Sequence, residues 1–142
     1  MDDGNQLLIE VFKNAEMTCD ILRKLIRGVK RGVLRECLTD RFAAFYQIAD
    51  ETKLIMLDDG ERRRRCACFL DVPLASALSV NLKLCAAPAC VAETLMHQSL
   101  ISLIDTQRLL NQNITGDETV KRFAQKLIDA QIGNIRLMQR FL

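Results

Sequence analysis

The sequence predicts an all-α protein, an up-down-up-down four-helix bundle with one extra short helix over about residues 73–85. Three observations predict it. Apolar residues recur at three- and four-residue spacing through four long stretches, the period of a helix with one buried face. Leu, Ala, Ile, Met, Glu, Lys and Arg dominate, and aromatic residues are few, with six Phe, one Tyr and no Trp; that composition favours helix over sheet. Gly and Pro fall mainly between the stretches, where turns belong. The 142 residues suit one domain and can bury a core without disulfides or metal. About half are hydrophobic, 49%, which argues against disorder.

The first helix is expected from about Asn5, a suitable N-cap, to Arg27. Its stripe is Leu8, Val11, Phe12, Ala15, Cys19, Leu22, Leu25 and Ile26. Gly28 and Gly32 bracket Val29-Lys30-Arg31, a tight turn between antiparallel helices. The second helix runs from about Val33 to Leu57 on Leu34, Cys37, Leu38, Phe45, Ile48, Ala49, Thr52, Ile55 and Met56, and Asp58-Asp59-Gly60 ends it. Glu61 to Cys68, ERRRRCAC, is a charged connector. Pro73 opens the short helix to about Cys85, and Pro88 opens a long one to about Asn113, each Pro fitting a first turn. Thr115 and Glu118 match a capping box for a last helix over about Gly116 to Phe141. Its stripe is Val120, Phe123, Ala124, Leu127, Ile128, Ile135 and Met138, and Gly133 weakens it by about 1 kcal/mol against Ala. The connections are read as short, which makes sequential helices antiparallel.

Several function classes lose ground on composition and pattern. The formal charge is +2, which gives no case for a nucleic-acid partner. No stretch is apolar enough to span a membrane. The opening MDDGNQ is acidic and polar, unlike a secretory leader; a cytoplasmic location is the expectation, with the six cysteines as reduced thiols. Glycine-rich elbows and phosphate loops are missing, so nucleophilic catalysis has little to stand on.

Two metal readings can be weighed. Di-metal carboxylate bundles take a Glu from each of two helices and Glu-x-x-His from each of the other two. The chain has one histidine, His97, and the residue three before it is Thr94. Glu93, four before, is out of register, and the other helices carry no histidine. Cys66, Cys68, Cys85 and Cys90 are the right number for structural zinc, but C-x-C and C-x₄-C are unusual spacings, and a helix over 73–85 would hold the pairs roughly 20 Å apart. Arg side chains beside Cys66 and Cys68 would lower a thiol pKa, a weak redox signal. Cys19 and Cys37 fall on apolar stripes and read as small buried hydrophobes. The Arg62 to Arg65 run reads as a solvated loop. No catalytic residue, resident metal or cofactor is assigned.

A polar line remains on the long helix. Thr94, Gln98, Ser102 and Asp105 share one face, and inward they would need partners such as Asn134 or Arg136. Outward exposure is the expectation for the outermost helix of a monomer. Apolar content on the other faces makes self-association the alternative.

Three stretches, LLIEVFKNAEMTCDIL (Leu7 to Leu22), PACVAETLMHQSLISLIDTQRLL (Pro88 to Leu110) and AQIGNIRLMQRFL (Ala130 to Leu142), resemble the ferritin-like helical-bundle proteins of spore-forming bacteria, a group related to spore-coat proteins. The resemblance implies a ferritin-like fold and spore association. The ligands of ferritins have no matching positions here, so it implies no ferroxidase activity. The expected function is therefore non-catalytic, acting through protein contacts, most simply as a homodimer. The alternative is a metal-binding or thiol-redox protein using His97 and Glu93 or the Cys66/Cys68/Cys85/Cys90 set.

Overall fold

The computed structural model describes residues 3–58, 87–112 and 117–142. Four long helices make up almost all of them: α1, Asp3–Gly28; α2, Val33–Asp58; α3, Pro88–Gln112; α4, Glu118–Met138. A 3-10 turn, Gln139–Phe141, follows α4. No strand occurs among the described residues. The short helix expected over 73–85 lies outside the described residues, as do the Arg62 to Arg65 run and Cys66, Cys68 and Cys85.

Local chemistry accounts for most helix ends. Gly32 has φ +154°, a backbone conformation that glycine adopts without cost, and its carbonyl accepts the first bond of α2 from Glu36 N at 3.1 Å. Ala87 does the same for α3, from Val91 N at 3.0 Å, so Pro88 occupies the first helical position, where its missing N–H costs nothing. Two expected ends shift. Asn5 lies inside α1 and is buried, since the helix begins at Asp3. The cap of α4 is Asp117, whose carboxylate accepts from Thr119 N at 2.8 Å; the helix starts at Glu118 rather than Gly116. A carboxylate at the positive end of the helix dipole is a strong cap.

Helix directions correct the expected topology. Asn14 meets Thr106 and Met17 meets Gln98, so α1 and α3 are antiparallel. Asn134 meets Ser99 and Gln131 meets Ser102, so α3 and α4 are antiparallel. Arg41 meets Asn134 and Glu51 meets Lys126, so α2 and α4 are antiparallel. With the tight turn between α1 and α2, the order is up-down-down-up, and the up-down-up-down expectation is wrong. The physical reason is the connection from Asp58 to Ala87. The antiparallel rule holds for short links, and this link is long enough to travel the roughly 38 Å of a 26-residue helix. α1 packs against α2 and α3, α4 packs against α3 and α2, and α1 and α4 also touch across the middle.

The core runs the length of the bundle. Leu7, Leu8, Val11, Leu22 and Leu25 of α1 pack with Leu38, Phe45 and Met56 of α2, Val91 and Leu95 of α3, and Val120, Ala124, Leu127 and Met138 of α4. Cys19 is buried on this stripe, and Cys37 is half-buried. Burial, then the charge of the Glu16 carboxylate, pushes the Cys19 thiol up to about 12.

Candidate functional site

Polar side chains interrupt the apolar stripes at mid-bundle, and the fold brings them together. Asn14 and Thr18 of α1, Ser99, Ser102 and Thr106 of α3, and Gln131 and Asn134 of α4 are all buried. Each sits at a position where its own stripe calls for a core residue. On α3 the line Val91, Leu95, Ser99, Ser102, Thr106 keeps spacings of three and four. Such groups are tolerated inside only when bonded, and here they bond to one another.

Arg41 Nε donates to Asn134 Oδ1 at 2.7 Å, and Arg41 Nη2 donates to the Ala130 carbonyl at 2.7 Å. Asn134 Nδ2 donates to Ser99 Oγ at 3.1 Å and to Gln131 Oε1 at 3.4 Å. Gln131 Nε2 donates to Ser102 Oγ at 2.9 Å and to Thr18 Oγ1 at 3.1 Å. Thr18 Oγ1 donates to the Asn14 carbonyl at 2.8 Å, and Asn14 Nδ2 donates to Thr106 Oγ1 at 3.3 Å. The ladder joins all four helices.

At the other end Asn14 Nδ2 also donates to Glu10 Oε1 at 3.2 Å, so the ladder runs from the Glu10 carboxylate on α1 to the Arg41 guanidinium on α2. The guanidinium also stacks 5.7 Å from the Phe45 ring centroid, and burial lowers its pKa from the ordinary 12.5. Gly133 makes room for it. A Cβ there would stand 3.1 Å from Nη2 and 3.5 Å from Cζ. The glycine read from sequence as a mild weakness of α4 is therefore the gap the Arg41 head fills.

The ladder holds amides, hydroxyls, one cation and, at the Asn14 end, one carboxylate. These groups can fix helix register and orientation, but they include no carboxylate–histidine set of the kind a di-metal bundle uses. Among the described residues no three His, Cys, Asp or Glu side chains lie together. His97 and Glu93 face outward, 72% and 64% exposed, with His97 Nε2 3.9 Å from Glu93 Oε1. Cys90 is exposed and disulfide-bonded, which corrects the reduced-thiol expectation at that residue; a disulfide sulfur is not a thiolate ligand. The other three cysteines of that set lie outside the described residues.

The polar line expected on α3 divides. Ser102 points inward. Thr94 bonds the Cys90 carbonyl on its own helix, Gln98 reaches Met17 Sδ at 3.2 Å, and Asp105 is half-exposed beside Arg108, at 4.0 Å. Asn134 is an interior partner, as expected, but the arginine is Arg41 and not Arg136, which is exposed.

The outer face of α3 carries the other unusual feature. Leu100, Ile101 and Ile104 are 47%, 57% and 47% exposed. They form one contiguous apolar row, with Glu93 and His97 before it and Arg108 after it, all exposed. α3 is thus inverted over its middle turns, with hydroxyls inside and large aliphatics outside. No helix among the described residues is long and apolar enough to cross a membrane. Comparison with protein-family models, curated proteins and solved structures finds no match for this chain.

Proposed function

We propose that this protein is a non-catalytic bundle that acts through protein contacts, first of all with a second copy of itself. The observation that carries the reading is the row of Leu100, Ile101 and Ile104 on the outside of α3. Three large aliphatics side by side on one helix face mark an interaction surface more than scattered singles would. The frame is ferritin-like in this reading, because four helices joined by one long crossover are the connectivity of that group. The buried ladder then does structural work where a ferritin places its ligands. Spore association is part of the same reading and rests on the sequence resemblance alone.

Sizing the surface decides how to test it. Each side chain is about half exposed, so burying the rest gives roughly 1 kcal/mol, and six across a symmetric pair give about 6 kcal/mol before the cost of association. Association at about 300 µM needs about 5 kcal/mol net, more than the row alone leaves, so the reading requires the contacts that flank the row to supply the rest. Light scattering there should give more than the 16.1 kDa of one chain, and Ile104→Asp should bring the mass back to it. A wild-type protein that stays at one chain's mass would refute the reading. The alternative with His97 and Glu93 as metal ligands has both side chains on the solvent face, and no observation favours it.

A further inference from the structure

The exposed residues along α3 have an arrangement that goes beyond being apolar. Glu93, His97, Leu100, Ile101, Ile104 and Arg108 are all exposed, and their spacings are four, three, one, three and four. The set reads the same from either end of the helix. At 100° per residue all six fall within one arc of about 100°, a single stripe. Its ends differ in sign, with Glu93 at one and Arg108 at the other.

A palindromic stripe with opposite charges at its ends is complementary to itself only when reversed. We propose that a second copy of this chain docks on α3 in antiparallel register, with the two-fold axis passing between Leu100 and Ile101. This rests on the self-association reading above and adds its geometry. The axis sets Leu100 against Ile101 of the second copy and His97 against Ile104 of the second copy. It sets Glu93 against Arg108 of the second copy, twice by symmetry. A parallel pairing would set Glu93 on Glu93 and Arg108 on Arg108, which is repulsive at both ends. Within one chain neither charge is held strongly. Glu93 is 3.9 Å from His97 and Arg108 is 4.0 Å from Asp105, exposed pairs of small worth that leave both free to turn across the seam. The aliphatic centre with charged ends follows the usual pattern of a dry middle and a polar rim.

The experiment uses two charge reversals on the full chain, both at exposed positions, read by sedimentation velocity with circular dichroism as the folding check. Glu93→Arg alone sets Arg against Arg108 at both ends, and Arg108→Glu alone sets Glu against Glu93 at both ends. Each should associate about ten-fold more weakly than wild type. Mixed in equal amounts, the two variants form a heterodimer in which both end pairs are attractive again, and association should return to near the wild-type level. Singles that associate like wild type, or a mixture no stronger than either single, would overturn the antiparallel register. If Ile104→Asp dissociates the protein in that case, the self-association reading survives and only the register falls. A wild-type chain that is monomeric at about 300 µM overturns both.

Discussion

Asn134 is the residue on which the buried ladder turns, and replacing it by leucine should cost far more than its size suggests. Leucine is close in shape and fits a site that is already fully buried. The change leaves Arg41 Nε without its 2.7 Å acceptor and Gln131 Oε1 without the 3.4 Å donor that now reaches it. A hydrogen bond to a charged group is worth about 1.5–3 kcal/mol, and an orphaned buried amide oxygen costs about 1–3 kcal/mol. The added apolar burial returns about 1–2 kcal/mol. The net expectation for Asn134→Leu is a loss of about 3 kcal/mol, or roughly 6–12 °C in Tm for a chain of this length. Urea denaturation followed by circular dichroism, at about 10 µM so that self-association does not contribute, measures it. Adding Arg41→Met should recover part of the loss, because removing both partners costs less than stranding one. An Asn134→Leu protein as stable as wild type would refute the argument that the ladder is held by mutual satisfaction.

Three more outcomes follow from the same contacts. Gly133→Ala should destabilise the wild type by about 1 kcal/mol, because Arg41 is held by two 2.7 Å bonds and resists the new Cβ. In an Arg41→Met background the same change should stabilise by about 1 kcal/mol through helix propensity, and equal signs in both backgrounds would contradict the close fit. The Cys19 thiol, raised from 9.0 to about 12, keeps its proton longer folded than unfolded. Its contribution is complete below about pH 9 and lost as pH climbs toward 12, so Cys19→Ala should flatten that part of the stability curve by up to a few kcal/mol. Denatured without reductant, the chain should show no more than four reactive thiols of its six cysteines, since Cys90 and one other are bonded; six would contradict that bond.

The helices were legible because their stripes repeat with the helical period, and Gly32 and Pro88 mark their ends by backbone chemistry that needs no tertiary context. The direction of α3 was not. It depends on the length of the Asp58 to Ala87 connection, which a local pattern reads as one more helix beside short turns. The outward exposure expected for the polar line of α3 fails at Ser102 for a related reason. Periodicity assigns the aliphatic face to the core, and here Ser99, Ser102 and Thr106 hold the interior while Leu100, Ile101 and Ile104 face out. A usable signal was present. The stripe Val91, Leu95, Ser99, Ser102, Thr106 continues without a break in spacing, and the α4 stripe skips from Ile128 to Ile135 across Gln131 and Asn134. A stripe that turns polar at the same depth on several helices marks a shared network. Arg41 could not be found this way, because its partners are known only once α2 and α4 are seen to pack.

The central claim is that α3 presents a surface for a second copy of this chain. The most direct measurement is the mass of the purified full-length chain by light scattering over a concentration series reaching about 300 µM. Mass should rise with concentration toward twice 16.1 kDa, and Ile104→Asp should abolish the rise. A mass that holds at 16.1 kDa across the series would contradict it.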